Sequence, residues 1–246
     1  IYLIKDFNFS MKFKGIYEKE TNNLSFFLKH LNIRNFKKKR VKVSSNEFGN
    51  ISLVIDKQTN VTYTNMVYKE VTNTKPYLST LSDYFYIDNY KCINKIIGFY
   101  FLRKQFNFIG EYYRNGSLRN LLDILHEKKE CLTETQKLII IYGIAYGMSY
   151  LHSCNIVHRD LKTECIFLDD NLFPKICEFE NSNQSFDGIE FLKNSNTIKQ
   201  TTTKTMAPEF ILNFELYNRT KPIDVYSFAI VLYEIIVCEQ PYKDLS

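Results

Sequence analysis

Residues 156–165 read IVHRDLKTEC, and residues 175–180, a short hairpin later, read KICEFE. The first stretch places an acid, Asp160, two residues before a base, Lys162. The second stretch carries two acids, Glu178 and Glu180, on either side of a phenylalanine. Because a histidine-arginine-aspartate triplet is common by chance, the meaning of these residues depends on the order and spacing of the patterns around them.

Composition and cysteine spacing restrict the class of protein. The chain has 246 residues, of which 45% are hydrophobic and 24% charged, as is typical of a globular protein with a sizeable core. The longest apolar runs, 138–151 and 228–238, are shorter than the ~18 residues that a membrane span needs, so we expect no span. The six cysteines form no C-x-x-C pair and no cluster with histidine, which predicts reduced thiols in a cytoplasmic protein.

The first forty residues differ from the rest in charge. Residues 1–40 hold ten Lys or Arg against three Asp or Glu, although the whole chain carries a formal charge of only +5. The basic cluster at 37–40 allows a nuclear signal, a patch for an anionic surface, or a solvated approach to the first strand, which we favour. A short helix is predicted at 21–31. The chain begins at Ile1 without a charged and then apolar leader, and we interpret it as a segment of a longer protein.

Alternating apolar residues then predict five strands, at 40–45, 51–57, 61–71, 96–103 and 106–112. A turn is expected at 58–60, and one helix is expected between the third and fourth strands, in 76–90.

Beyond residue 112 the periodicity becomes helical. A helix is predicted at 117–126 with Ser117 as its N-cap, and a long helix begins with a capping-box pattern of Thr133 and Gln136. We predict that the buried face of the long helix consists of Leu138, Ile141, Tyr142, Ala145, Met148 and Leu151. A last helix, at about 222–238, is apolar on every side, which predicts burial at the centre of its domain.

Taken in order, these patterns resemble the protein kinase family. Residues 158–165 match H-R-D-L-x-x-x-N except at the last position, 178–180 match D-F-G only at the phenylalanine, 207–209 are A-P-E, and 224–229 resemble D-V-W/Y-S-F-G. The resemblance implies an α+β, two-lobed fold with a small five-stranded N-lobe and a mainly helical C-lobe. The implied domains are an extension at 1–40 and a kinase-like domain at 41–246, divided near residue 112, whose C-terminal helices lie beyond this chain. Residues 143–152 and 224–233 are most similar to the tyrosine-kinase-like group of serine/threonine kinases.

The resemblance also implies a nucleotide site. In the glycine-rich turn, at 44–51, only Gly49 of three glycines is present, which predicts a looser hold on the phosphates. Lys69 occupies the place of the lysine that neutralises the phosphates, and its usual glutamate partner is replaced by Leu81, with Asp83 as the nearest acid. The full set of implied nucleotide-binding residues is Gly49, Ile51, Val67, Lys69, Gly110, Glu111, Tyr113 and Phe167.

The implied catalytic residues are Asp160 as the base, Lys162 and Thr202. Two implied metal positions are altered, because Cys165 stands in place of an asparagine and Glu178 in place of an aspartate. Magnesium is a hard ion that prefers oxygen, so the thiol is expected not to bind it. Glu178 and Glu180 leave open a rearranged site with a cation between them.

We therefore predict a pseudokinase, which acts in signalling as a regulatory or interaction module with weak or no phosphotransfer. The implied cofactors are ATP, bound weakly, and magnesium, bound poorly or not at all. The implied partners are proteins and nucleotide, with no nucleic acid. The alternatives are an impaired but active serine/threonine kinase that uses Glu178 as its one metal ligand, and a decaying gene copy that does not fold stably.

Overall fold

The computed structural model describes residues 29–45, 49–68, 90–102, 105–177, 204–213 and 220–241. The chain divides into two compact units. The first unit comprises Ile1–Phe85 and Lys95–Tyr112, and the second comprises Tyr86–Asn94 and Tyr113–Ser246. Each unit contains its own β-sheet.

The first unit is organised around a six-stranded sheet with the order β1-β5-β6-β4-β3-β2. β1 pairs in parallel with β5, and every other neighbouring pair is antiparallel. The strands are β1 (Lys29–His30), β2 (Phe36–Ser45), β3 (Gly49–Asp56), β4 (Thr62–Tyr68), β5 (Ile96–Leu102) and β6 (Gln105–Glu111).

A compact apolar cluster stabilises one face of this sheet. Its buried members are Leu31, Val54, Tyr100 and Ile109, with Ile33, Phe36, Tyr63 and Ile97 packed around them. The buried amide of Asn65 is satisfied there, because the Tyr100 hydroxyl donates to its Oδ1 at 2.9 Å. The predicted turn at 58–60 is present, and the amides of Gln58 and Thr59 donate to Asp56 Oδ1 at 2.8 and 2.9 Å.

The five predicted strands are confirmed, with ends that differ by a few residues, but the predicted helix at 21–31 is wrong at its end. Residues 29–30 form β1, where Lys29 lies opposite Gly98 and His30 opposite Phe99. The next amide, of Leu31, donates to Phe99 O at 2.8 Å. Pairing with β5 therefore overrides the local helical spacing. Residues 21–28 lie outside the described part of the chain, as does the predicted helix at 76–90 except for its last residue.

The second unit combines helices with a short hairpin. Its elements are α1 (Leu118–Lys128), α2 (Glu134–Ser153), β7 (Ile166–Leu168), β8 (Pro174–Ile176), α3 (Pro208–Leu212) and α4 (Pro222–Val237). Both predicted caps are confirmed: Asn120 N donates to Ser117 Oγ at 3.3 Å, and Thr133 and Gln136 form the reciprocal capping box. None of the helices in the described ranges is long and apolar enough to cross a membrane.

The predicted buried face of α2 is confirmed at Met148 and Leu151 and wrong at Leu138 and Tyr142, while Ile141 and Ala145 are partly buried. Leu138 and Tyr142 are 66% and 69% exposed, and the buried residues are Ile140, Gly143, Ile144, Gly147, Met148 and Leu151. This helix carries apolar residues on every side, so the spacing of those residues did not identify its inner face. The two glycines identify it instead, because β8 packs directly against them: a Cβ on Gly147 would lie 2.7 Å from Ile176 Cδ1, and one on Gly143 would meet Pro174.

The prediction for α4 is also corrected. Val225 and Ile236 are 60% and 56% exposed, so the helix is not buried on every side. Its buried face carries Ile223, Asp224, Ser227, Val231, Glu234 and Ile235. Three of these six are polar. Asp224 and Glu234 bind residues of the loop between α2 and β7, and Ser227 donates to Thr205 O at 2.8 Å.

Candidate functional site

The loop between α2 and β7 carries the HRDLK sequence, and Asp224 at the start of α4 holds its first half. The carboxylate is 1% exposed and accepts hydrogen bonds from the amides of His158, at 2.8 Å to Oδ2, and Arg159, at 2.8 Å to Oδ1. His152, at the end of α2, lies 2.8 Å from Oδ2 through Nε2. One buried side chain thus fixes both the loop and the helix that leads into it.

Two features of the loop explain why this support is needed. Arg159 has a φ of 69°, in the left-handed region that residues other than glycine rarely adopt. His158 is fully buried, and its Nε2 lies 2.9 Å from the carbonyl oxygen of Cys177. A carbonyl can only accept, so Nε2 carries the proton and Nδ1 accepts from Asp160 N at 3.4 Å. His158 therefore has a structural role in the core.

The implied catalytic pair lies just beyond this anchor. Lys162 Nζ contacts Asp160 Oδ2 at 2.7 Å, and both side chains are largely buried. The other carboxylate oxygen, Oδ1, is buried and has no hydrogen-bond partner in the described part of the chain. An unsatisfied buried acceptor is unfavourable in a folded protein and is often found where a ligand group is recognised. The geometry leaves one Asp160 oxygen able to accept a proton or hydrogen bond.

A second buried network anchors the other end of the loop. Glu234, on α4, accepts from the Thr163 hydroxyl at 2.6 Å and from Arg119 of α1 at 3.0 Å. Arg119 also pairs with Asp123 at 2.8 Å. Burial raises the pKa of the Glu234 carboxyl above its ordinary value, and the contacts with Thr163 and Arg119 act in the opposite direction.

The supporting residues His152, Arg119, Thr163 and Glu234 were not predicted from the sequence. One signal was available, because Glu234 interrupts an otherwise apolar run in α4. A lone charge on the buried face of a helix requires a partner. The identity of that partner was not readable from sequence, since Arg119 is 115 residues away.

The position of Cys165 can be tested against the chemistry of magnesium. Its side chain is fully buried, and Sγ lies 3.4 Å from the main-chain oxygen of Asp160, to which the thiol donates. Magnesium takes hard oxygen ligands, and sulfur is a soft one. The residue at this position therefore does not fit a magnesium ion. Within the described ranges, no group of three or more His, Cys, Asp and Glu side chains is arranged to hold a metal.

The implied nucleotide residues of the first unit lie on three adjacent strands. Gly49 and Ile51 are on β3, opposite Tyr68 and Met66, and Val67 is the β4 neighbour between those two. Gly110 and Glu111 are on β6, opposite Thr64 and Tyr63 at the other end of β4. Gly110 lies opposite Thr64, so three residues along β4, about 10 Å, separate Val67 from the place where Gly110 pairs.

The remaining implied residues divide between the second unit and the undescribed segments. Tyr113 donates its hydroxyl to Asn94 Oδ1 at 3.2 Å, and its ring centroid lies 6.2 Å from that of Phe167. These two rings are brought together within the second unit, where Phe167 is also bridged to Ser117. Lys69, Glu178 and Thr202 lie outside the described residues.

A strand-rich unit, a helical unit and an HRDLK loop held by an aspartate on α4 are the architecture of a protein kinase domain. A family model, protein tyrosine and serine/threonine kinase, matches residues 38–246. This chain belongs to the protein kinase family.

Similarity to individual proteins supports the same family assignment. A stretch of 144 residues is 33% identical to the probable serine/threonine-protein kinase SIS8 of Arabidopsis thaliana, covering 56% of this chain and 13% of the relative. Another of 146 residues is 36% identical to serine/threonine-protein kinase CTR1 of the same plant, covering 56% and 16%. A third, of 142 residues, is 34% identical to a probable serine/threonine-protein kinase of Dictyostelium discoideum. The match spans about a sixth or less of the length of these relatives. The predicted resemblance to the tyrosine-kinase-like group is confirmed.

Proposed function

We propose that this kinase domain is a pseudokinase, a regulatory or interaction module of a signalling protein with weak or no ATP-dependent phosphotransfer. The observation that carries the proposal is Cys165. Kinase signatures place an asparagine here, whose carbonyl oxygen binds the second magnesium. This chain offers a buried thiol that donates to Asp160 O at 3.4 Å.

The size of the effect follows from the chemistry of phosphoryl transfer. The protein supplies mainly position and charge neutralisation, and the metal ions provide much of the neutralisation. Weakening their hold by about 4 kcal/mol lowers the rate roughly a thousandfold. The changes to the glycine-rich turn, to the partner of Lys69 and to the D-F-G aspartate act in the same direction.

A second candidate function is supported by a different observation. The pair of Asp160 and Lys162 is intact at 2.7 Å, and Asp160 Oδ1 has no partner among the described residues. A carboxylate oxygen in that state is suited to accept the proton of a substrate hydroxyl. The alternative is therefore an impaired serine/threonine kinase in which Glu178 is the one remaining metal ligand.

Thermal unfolding of the full chain with ATP tests the metal part of the proposal. A ligand that binds only the folded state raises its melting temperature. We expect at most a small rise with ATP at millimolar concentration, and the same rise with and without magnesium. We expect Cys165→Asn, which restores an amide oxygen, to add a magnesium-dependent rise. Cys165→Ser is the matched control, because it replaces the sulfur without supplying the amide. A magnesium-dependent rise already present in the wild type would count against the proposal.

A phosphotransfer assay separates the two functions directly. We expect no turnover above background with magnesium or manganese. Turnover that disappears in Asp160→Asn would establish the impaired kinase and reject the pseudokinase. Turnover that survives Asp160→Asn would indicate a contaminating kinase, and the assay would then be repeated on a preparation free of it.

We further propose the cytoplasm as the compartment, and proteins and nucleotide as the partners. The support for the compartment is that all six cysteines are free thiols. The support for a protein partner is the retained kinase scaffold.

A further inference from the structure

Two cysteines lie opposite each other at the open end of the β7–β8 hairpin. The hairpin pairs Ile166 with Ile176, and Cys165 and Cys177 are the next residues outward in the same register. The main chain continues the pairing to them, because the Cys177 amide donates to Cys165 O at 2.8 Å. The two residues are therefore cross-strand neighbours, fixed by the backbone of one short hairpin.

The backbone spacing of such a pair suits a disulfide. Directly opposite residues at a hydrogen-bonded position of an antiparallel pair have Cα atoms about 5.5 Å apart and side chains on the same face. A disulfide joins Cα atoms that are about 4.4–6.8 Å apart. In the structure each thiol is turned to a main-chain oxygen, with Cys165 Sγ 3.4 Å from Asp160 O and Cys177 Sγ 3.5 Å from Lys175 O. Rotation about the two Cα–Cβ bonds is the movement that brings the sulfur atoms together.

Burial gives the two thiols different access to solvent. Cys165 is fully buried, whereas Cys177 is 6% exposed. The reactivity of a thiol toward an oxidant increases with its exposure. We therefore expect Cys177 to react with a small oxidant first and Cys165 to be the resolving thiol.

We propose that Cys165 and Cys177 form a reversible disulfide under oxidising conditions, so that the altered metal position of this domain is a redox site. The disulfide removes the hydrogen that Cys165 donates to Asp160 O, and it ties the start of β7 to the residue directly before Glu178. The proposal does not depend on whether the domain transfers phosphate, since both thiols are present in either case.

The chemistry balances with hydrogen peroxide as the oxidant. The Cys177 thiolate attacks one peroxide oxygen, an S–O bond forms, the O–O bond breaks, and the hydroxide released becomes water with the proton from the thiol. The sulfur of Cys165 then attacks the Cys177 sulfenic acid, forming the S–S bond as the S–O bond breaks. The thiol proton of Cys165 leaves with that hydroxyl as a second water. Two thiols lose two electrons in total, and one peroxide is reduced to two waters.

Peptide mapping of the full chain tests the proposal. The protein is treated with hydrogen peroxide until the exposed Cys131 is oxidised, the peroxide is removed, and the remaining thiols are alkylated in urea so that buried ones also react. Trypsin then separates the two cysteines, because cleavage after Lys162, Lys175 and Lys193 places them in residues 163–175 and 176–193.

We expect these two peptides to be recovered as one linked species when no reductant is present. Its mass should be about two units below the sum of the two reduced peptides, since two hydrogens leave. Dithiothreitol added before alkylation should return both peptides in alkylated form.

Variants separate this pair from unspecific oxidation. Cys177→Ser should abolish the linked species and leave Cys165 alkylatable. Cys165→Ser should leave Cys177 as a sulfenic acid that a dimedone probe labels. Cys154→Ser, which removes a partly exposed thiol elsewhere, should leave the linked species unchanged. Both members of the pair are buried, so if either variant fails to fold, the map of the wild type decides alone.

Two results would overturn the proposal. In the first, the oxidised wild type returns Cys165 and Cys177 as alkylated thiols although Cys131 has been oxidised. In the second, Cys177 is linked to a different cysteine, or is carried as sulfinic acid while Cys165 stays reduced.

Discussion

The two ends of the HRDLK loop differ in whether they keep the residues expected of a protein kinase. At its start, Asp224 holds the amides of His158 and Arg159 at 2.8 Å each. At its end, Glu234 accepts from the Thr163 hydroxyl at 2.6 Å, but two residues later the chain presents Cys165 where a kinase presents an oxygen ligand. Support and metal chemistry use different side chains of one loop. On the proposed function, the loop keeps its supporting contacts while the residue at the second metal position has changed.

The largest effect is expected from removing the anchor at the start of the loop. Asp224→Ala leaves two loop amides without their acceptor, and unsatisfied buried donors of this kind destabilise a protein strongly. We expect the free energy of unfolding to fall by about 3–5 kcal/mol, measured by urea denaturation.

Asp169→Ala is the matched control for this anchor. Asp169 also accepts from two backbone amides, of Asn171 and Phe173, but in the more exposed turn between β7 and β8. A decrease of about 1 kcal/mol is expected there. If the two variants lost equal stability, burial of Asp224 would not be the reason for its importance.

The next effect concerns the contact between α2 and β8, which positions the hairpin that follows the loop. Gly147→Ala would place a Cβ 2.7 Å from Ile176 Cδ1. An alanine favours a helix by about 0.5–1 kcal/mol over glycine, yet overpacking costs about 1–3 kcal/mol, so we expect net destabilisation. Ser149→Ala, on the exposed side of the same helix, should be neutral or slightly stabilising. A more stable Gly147→Ala variant would contradict the packing described for this face.

The same residues show how far the sequence predicted the structure. Local signals were readable: Ser117 and Thr133 were identified as caps because capping depends on neighbours three residues away. The inner face of α2 could not be predicted in the same way, because the helix carries apolar residues on every side. Only the contact with β8 distinguishes Gly143 and Gly147 from the other residues of the helix.

The site was predictable to a similar extent. The family motif gave Asp160, Lys162 and Cys165 by position. The residues that hold them were missed, because Arg119, Glu234 and His152 act through contacts between distant parts of the chain. Motifs record the residues that meet substrate, and the supporting residues become visible only when the elements are packed together.

A smaller effect is expected at the start of α2, far from both ends of the loop. Thr133→Ala removes the hydroxyl that accepts from Gln136 N at 3.3 Å, one half of the capping box. We expect a loss of about 1 kcal/mol in the free energy of unfolding. Thr135→Ala, in the exposed first turn, is the control and should change little. Equal losses in the two variants would show that the box adds no stability.

The last prediction concerns Glu234→Gln. We expect almost no change in the free energy of unfolding at low pH, and a change that depends on pH above about 4.5. Burial raises the pKa of this carboxyl above its ordinary value of 4.5, so the folded protein keeps the proton at pH values where the unfolded chain has released it. The folded state then binds more protons, and stability falls as the pH rises from 4.5 through the raised value. Glu234→Gln has no proton to release, and its contribution should be independent of pH.

Denaturation curves of wild type and Glu234→Gln across this range measure the difference. Below pH 4.5 both side chains are neutral and the curves should nearly coincide, and above it the wild type should lose stability relative to the variant. Ser149→Ala serves as a reference, because that change titrates nothing. If the wild type instead gained stability relative to Glu234→Gln with rising pH, the contacts with Arg119 and Thr163 would outweigh burial. Glu234 would then be a charged anchor of Thr163 and Arg119 at the end of the loop.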